Sequence, residues 1–544
     1  MLKIKWLMGQ IKPFIPYLII IVILGTIVSL IGIYRAIITK QIIDAATGSN
    51  NDRMIKFLII FGVFIIFDIS LRALNTVLSS NCSIDVFNGL QKRLYSKIIK
   101  IRWDEFSSYH SGDLLTRLTS DMDAITSLFT STIPSIISLS VLLIGSFITL
   151  FFMEPFVAIA IIIVSPIMII ISYYYSSKLK KIYLKVQELE SKYRSFLMES
   201  LQNIVIIKTF CLEDSNVSRC NNFQKERKSL AISRIKLSVF SNYSISISFS
   251  AGVFFVFLFG SFKISEGVIT FGTLTAMLQL IGNIQGPFSG LASTLPQLVA
   301  SMASTERIME LEALNRDDID RNIEDMESAG VVFDNVDFYY KENVPVLENV
   351  SLMINPGETV ALIGPSGEGK TTFINLLLSL LTPKKGEMTI IDDSRSVTVN
   401  AATRKLMSYV PQGNTLFSGT IADNLRMGSP DATDAELEIA ARKACAWKFI
   451  EKCENGLYTN VGERGQGFSE GQAQRISIAR ALLHKAPILI LDEATSALDS
   501  DTEIEVLENI KTLNPAPTCI IITHRTAALE SCHRVFKIEG CKVI

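Results

Sequence analysis

Neither sign of charge dominates this chain: 52 Lys and Arg stand against 53 Asp and Glu, so no basic footprint marks a nucleic-acid partner. Its eight cysteines, Cys82, Cys211, Cys220, Cys445, Cys453, Cys519, Cys532 and Cys541, contain no Cys-x-x-Cys pair and no regular spacing, which argues against a zinc or disulfide framework. No cleavable leader is expected from the first residues either. The N-terminus "MLKIKWLMGQIKPFIPYLIIIVILG" has a basic start and an apolar run, but the run continues past Ile33 and no small-residue cleavage site follows. It reads as a first membrane span.

What the chain has is apolar length. At 544 residues it exceeds one ordinary domain, and its mean hydropathy of +0.35 is high for a soluble protein. Six apolar stretches, Ile15–Ile38, Met54–Leu78, Ile133–Met153, Pro155–Tyr175, Phe240–Phe262 and Val268–Ala300, each reach the about 20 residues a spanning helix needs. The two long charged connections, 81–124 and 176–239, carry most of the basic residues of this region, and Lys3, Lys5 and Lys12 fall on the same side. The positive-inside tendency places that side, and both termini, in the cytosol. The cysteines then lie at or beyond the cytosolic ends of the spans, where thiols stay reduced.

Two features of the spans need arbitration. Ser244, Ser246, Ser248 and Ser250 alternate as in a strand, but an open strand edge in lipid leaves backbone groups unpaired, so a helix is expected. Asp68 and Arg72 are four residues apart and share a helix face. In lipid they are costly unless they pair or face water, as a structural pair or an arginine snorkelling near the cytosolic half, or as a contact in a substrate pathway. Gln279, Asn283, Gln285, Ser289 and Ser293 of the sixth stretch, with the serines of the fifth, are helix-packing contacts or the lining of a weakly polar, nearly uncharged cavity.

Past the last span an acidic stretch, "ELEALNRDDIDRNIEDMESAG", leads into a soluble part. There "ETVALIGPSGEGKTTFINLLLSLL" reads as a buried strand, a glycine loop and a helix, and Gly364, Gly369, Lys370 and Thr371 fit G-x-x-x-x-G-K-[ST]. Glycines let backbone N–H groups curl around a β-phosphate, the helix N-terminus adds its dipole, Lys370 reaches the β and γ oxygens, and Thr371 ligates magnesium. The bland alternative is a chance glycine turn. "APILILDEATSALD" is an apolar strand ending in Asp492 and Glu493; the first belongs beside magnesium and the second beside an attacking water, as general base. His524 after "CIIIT" and Gln412 in "YVPQ" are each only suggestive alone, one as a γ-phosphate contact, the other as an amide reaching magnesium or the water.

Taken together, "GPSGEGKTT", "YVPQ", "VGERGQGFSEGQ", "ILILDEATSALD" and "ITHR" resemble the ordered motif set of an ABC transporter ATPase domain. The six spans and "SGDLLTRLTSDMDAI" resemble the type IV exporters. The resemblance implies a membrane all-α six-helix transmembrane domain over 1–308, a linker over 309–330, and an α/β P-loop nucleotide-binding domain over 331–544 with a RecA-like core and a helical subdomain. ATP and Mg2+ would be bound by Gly364, Ser366, Gly367, Gly369, Lys370, Thr371 and Thr372, with Tyr340 stacking on adenine. Thr371, Gln412 and Asp492 would hold the metal. Glu493, His524 and Gln412 would be catalytic. Ser469, Gly471 and Gln472 would close over the γ-phosphate held by a second copy, most simply in a homodimer, with Ser496–Asp499 signalling across it.

The long loops around 106–112 and 209–213 would couple the two parts, the second docking on the partner. The implied activity is ATP-driven export of an amphipathic peptide natural product or drug across the cytoplasmic membrane by alternating access. A lipid flippase and a nucleotide-gated channel or regulator are the alternatives. Three departures qualify the likeness: Glu470 stands where glycine is more usual, the chain stops at "GCKVI", and no peptidase domain precedes the first span, against leader-cleaving export.

Overall fold

Cys82, Val86, Leu90, Leu94 and Ile98 recur at every fourth position and are all buried. That period is the apolar stripe of a helix, and it lies in what reads from sequence as a charged connection. The computed structural model describes residues 2–319, 323–342, 344–365, 367–413, 415–462 and 465–544. In it the stripe belongs to α3, which continues unbroken from the second apolar stretch.

The chain divides into two compact units, Met1–Tyr95 with Gly112–Glu312, and Ser96–Ser111 with Ala313–Ile544. The first is built from α1 (Leu2–Ile11), α2 (Ile15–Thr47), α3 (Asn51–Ile98), a run from Ser111 to Met153, α8 (Pro155–Gln202), α9 (Ile204–Thr209), α10 (Glu213–Ser265) and α11 (Phe271–Ala313). The short α4 (Trp103–Phe106) falls in the other unit. The Ser111–Met153 run consists of α5 (Ser111–Thr116), α6 (Met122–Ser127) and α7 (Ile133–Met153), joined by the π-helical turns Arg117–Asp121 and Leu128–Thr132.

Every apolar stretch thus falls in a long helix, and the serine-alternating segment is helical. The sixth helix starts at Phe271 rather than Val268, because Gly267 at φ +72 breaks the chain ahead of it. Among the described residues, three helices are long and apolar enough to cross a membrane by length and composition: Lys5–Thr47, Asn51–Ile98 and Ser111–Met153.

The long charged connections prove to be helical, since α3, α8 and α10 run on past their apolar parts. Loops of such length without structure of their own are rare. Where α8 and α10 continue, Phe196 and Phe223 pack with ring centroids 5.3 Å apart.

In the second unit, 96–111 joins the C-terminal part through its backbone. Arg102 N–H donates to Asn315 O at 3.1 Å and Asp317 N–H to Lys100 O at 2.8 Å. Glu105, beside them, accepts from the Asn315 N–H at 2.9 Å and from its Nδ2 at 2.7 Å.

The remainder is α/β. β1 (Gly330–Lys341), β2 (Val344–Ile354), β4 (Lys385–Ile391) and β5 (Ser396–Thr398) form an antiparallel sheet in the order β2-β1-β4-β5. β3 (Thr359–Ile363), β6 (Met407–Val410), β9 (Ile488–Asp492), β10 (Thr518–Ile522), β11 (Arg534–Glu539) and β12 (Lys542–Val543) form the central sheet, ordered β12-β11-β3-β10-β9-β6. It is parallel except for β12. β9 and β10 are buried at every position, as parallel strands covered on both faces must be.

α12 (Lys370–Leu377) follows β3, with Phe373 stacked on Phe333 at 4.4 Å. A second core gathers α13 (Ile421–Arg426), α14 (Asp434–Lys443), α15 (Trp447–Ile450) and α16 (Glu470–Leu483), beside the ribbon β7 (Gly419–Thr420) and β8 (Asn460–Val461). α17 (Ser500–Lys511) and α18 (Thr526–Glu530) complete the unit.

Candidate nucleotide site

Ligands of open parallel sheets bind beyond the carboxyl ends of the strands, and four neighbouring strands here deliver the candidate residues there. β3 leads into the glycine loop and Lys370, β10 into His524, β9 into Asp492 and Glu493, and β6 into Gln412. Adjacency in the sheet decides who meets whom. Lys370 Nζ lies 3.2 Å from His524 Nε2, joining the neighbours β3 and β10. Gln412 Nε2 donates to Glu493 Oε2 at 2.5 Å, joining β6 and β9.

The loop is shaped for an anion. Gly369 sits at φ +107, a backbone that side-chain-bearing residues rarely adopt, and a Cβ there would also crowd Val346 at 3.1 Å. As N-cap it offers no side-chain hydrogen bond to α12, leaving the first N–H groups of that helix for another acceptor. The Lys370 ammonium folds onto the loop itself, donating to Gly364 O and, at 3.1 Å, to Pro365 O. An ammonium held by two loop carbonyls and the His524 ring can exchange the carbonyls for phosphate oxygens. Tyr340 is 63% exposed, and its OH lies 3.2 Å from Thr372 Oγ1, so its ring is open to a stacking partner beside the helix start. Ser366 lies outside the described residues.

Asp492 is buried, and the Tyr409 OH donates to its Oδ2 at 3.1 Å. Burial, reinforced by the Glu493 charge, pushes its carboxyl above the usual range, against the pull of Tyr409 and Lys370. Burial also raises the Tyr409 phenol. A carboxylate destabilised in this way gains from a divalent cation, so the donor set of Asp492 with the Thr371 hydroxyl and the Gln412 amide fits magnesium. Glu493 sits at φ +49, an uncommon backbone for a side-chain-bearing residue. It is held there by its N–H bond to Ile522 O at 3.0 Å.

Ser469 and Gln472 form a capping box at the start of α16. Gln472 N–H donates to Ser469 Oγ at 3.3 Å, and Ser469 N–H to Gln472 Oε1 at 2.9 Å. A Cβ on Gly471 would meet Ala497 O at 2.7 Å, so only glycine lets α16 lie against the Ser496–Asp499 segment.

Three residues there are missed by motif reading. Gln474, 1% exposed, donates to Ser496 Oγ at 3.1 Å and accepts from Ala497 N–H at 3.1 Å, clamping the segment to α16. Arg525, next to His524, donates to Leu498 O at 2.5 Å, Thr495 O at 3.3 Å and Glu503 Oε2 at 3.2 Å. Glu503 is fully buried and also accepts from Thr495 Oγ1 at 2.6 Å. A Glu three residues into a helix after an N-cap reads from sequence as ordinary helix chemistry, which hides this role.

The fold and site define an ATP-binding ABC-type module joined to a helical membrane region. Residues 18–288 match the family model of the ABC transporter transmembrane region and residues 347–496 that of the ABC transporter. The chain is 30% identical over 541 residues to an uncharacterized ABC transporter ATP-binding protein, YknV, of Bacillus subtilis, covering 98% of this chain and 89% of that protein. It belongs to the ABC transporter family. It is also 28% identical over 548 residues to an ATP-dependent lipid A-core flippase of Syntrophus aciditrophicus, covering 99% and 90% of the two chains. A bacterial Atm1-family ABC exporter solved with ATP bound has the same fold, with a TM-score of 0.83 at 21% identity over 98% of this chain and 94% of that one. The protein is an ABC exporter whose ATPase drives transport.

Proposed function

We propose that this chain exports an amphipathic substrate, a peptide natural product or hydrophobic drug, across the cytoplasmic membrane as a homodimer working by alternating access. The transmembrane domain is assigned to 1–308, the linker to 309–330 and the ATPase domain to 331–544, with that domain and both termini in the cytosol. The observation that carries the reading is the convergence of Lys370 with His524 and of Gln412 with Glu493 at the ends of four adjacent strands. Residues up to 154 positions apart meet where a γ-phosphate and its attacking water would lie.

When bound, Mg2+ would neutralise phosphate charge; Thr371, Gln412 and Asp492 would hold it. Gly364, Ser366, Gly367, Gly369, Lys370 and Thr372 cradle the phosphates, and Tyr340 stacks on the adenine. Glu493 takes the proton of the water, Gln412 orients that carboxylate, and His524 faces the γ-phosphate from beside Lys370. Ser469, Gly471 and Gln472 serve the nucleotide of the other copy. The cap box pre-sets the start of α16, and Gln474 ties that helix to Ser496–Asp499. Closure of the pair is then favoured by ATP alone, since only the closed state brings both gripping surfaces to one phosphate.

Coupling is supported by the exposed apolar end around α9, where Val205 is 69% and Phe210 72% exposed; that end would dock on the partner's ATPase domain. The lipid A-core flippase among the relatives supports a second reading, lipid as cargo. Inside-out vesicles holding the purified chain test the direction. ATP added outside should drive a fluorescent amphipath into the lumen, and ATP-dependent loss from the lumen would contradict export.

A further inference from the structure

Asp68, only 6% exposed in α3, answers two guanidinium groups rather than one. Arg72, one turn on, donates from Nε to its two oxygens at 3.0 and 3.1 Å. Arg35 of α2 brings NH1 to 3.7 Å of the same carboxylate. One negative charge therefore serves two positive ones, and the cluster keeps a net positive charge.

Two further buried polar atoms of α2 and α3 are unsatisfied. Among the described residues, Arg35 Nε is buried with no hydrogen-bond partner, and so is Asn75 Oδ1. Asn75 is seven residues past Asp68, two turns along the same face of α3. Aromatic rings flank the charges: the Arg35 guanidinium lies 5.7 Å from the Phe61 centroid, and Tyr34 and Phe64 pack at 5.4 Å.

Depth matters as much as charge. Arg35 lies 12 residues before the end of α2 and Asp68 17 residues after the start of α3. At the helical rise these are about 18 and 26 Å from the α2–α3 turn, within the about 30 Å of a hydrocarbon core, whereas Arg72, 21 residues after the start of α3, is about 32 Å from that turn, at the far boundary of the core. A charged group held at such depth faces the bundle interior or water and marks a pathway, unless it is fully paired. A structural ion pair in α3 needs Asp68 and Arg72 alone. Arg35 is the surplus charge, and its buried Nε remains a donor in want of an acceptor.

We propose that Arg35 and Arg72, held beside Asp68, receive an anionic headgroup, so that the exported amphipath carries a carboxylate or phosphate ester. This rests on the export reading and narrows it. The weakly polar, nearly uncharged lining inferred from the serines and amides of α10 and α11 would then be the uncharged half of the route, and the cation cluster the charged half. Phe61, Phe64 and Tyr34 supply apolar surface next to the charge, as an amphipath requires.

The test uses the full chain in proteoliposomes and four fluorescent probes sharing one acyl chain, ending in a carboxylate, a phosphate, a methyl ester or a trimethylammonium group. ATP-dependent transport of the two anionic probes is expected to exceed that of the ester and the cation, and the ratio of the first two identifies the headgroup. Arg35→Gln and Arg72→Gln should each weaken half-saturation by the anionic probes about tenfold or more, and Arg35→Lys should restore most of it. Asp68→Asn should tighten it, because a competing carboxylate is gone. A merely structural triad gives the opposite sign for Asp68→Asn and no dependence on headgroup charge. Equal transport of all four probes, or stimulation of ATP turnover by anions without their movement, overturns the inference while export stands. If no probe moves although ATP turnover continues, the export reading falls with it.

Discussion

Replacing Glu493 by Gln is expected to cut ATP turnover by about 10²–10⁴-fold, the usual contribution of a positioned general base, with ATP still bound. The substitution keeps the size of the side chain and removes its basicity. The backbone bond from Glu493 N–H to Ile522 O, at 3.0 Å, survives it, so the left-handed position at φ +49 is kept. Lys370 and the glycine loop belong to a different strand end and are untouched. The lost piece is the carboxylate that accepts from Gln412 at 2.5 Å and takes the proton from water. Parallel measurements of hydrolysis rate and of equilibrium ATP binding check this. Normal turnover would remove the assigned base; lost binding would mean that Glu493 shapes the loop instead.

The second large effect is on stability. Arg525→Met is expected to destabilise the ATPase unit by about 3 kcal/mol, the low end for a stranded buried charge, because it takes a half-buried cation away from the fully buried Glu503 carboxylate. For a unit of this size that lowers the unfolding midpoint by about 6–12 °C. Glu503 is 0% exposed. With Arg525 gone, its carboxylate would keep the Thr495 hydroxyl at 2.6 Å and lose its cation. The same change frees the carbonyls of Thr495 and Leu498, which fix the segment between Glu493 and α17. Turnover should therefore fall even below the new midpoint. Glu503→Gln, which removes the buried charge and keeps an acceptor oxygen, should be milder. Thermal unfolding of the two variants against the parent decides it: equal midpoints for Arg525→Met and the parent would show that the pair carries no weight.

Much of this architecture was legible in the residues because its signals are local. An apolar run of about 20 residues has few fates other than a helix, and the strand-loop-helix around Lys370 carries its own glycines. The order of the motifs also placed Gln412, Asp492, Glu493 and His524 in one domain. Which of them touch depends on the strand order β3-β10-β9-β6, a crossover pattern absent from any short window.

Non-local pairings escaped for the same reason. Asp68 and Arg72 announce themselves by spacing, whereas Arg35 reaches them from another helix. Residues 96–111 look continuous with the membrane helices, yet Lys100 and Arg102 make backbone hydrogen bonds with Asp317 and Asn315. The first charged connection reads as a loop because its basic residues obscure the four-residue period of Cys82, Val86, Leu90, Leu94 and Ile98.

At the centre of this account stands a phosphate gripped by two copies at once. Mixing two inactive full-length variants, one with Lys370→Ala and the other with Ser469→Arg, tests it most directly. In a mixed pair one site gathers both lesions and the other neither, so the account predicts that ATP turnover reappears on mixing. Turnover that stays at the level of the separate variants, although mixed pairs have formed, would contradict it, because each copy would then be completing its site from its own residues.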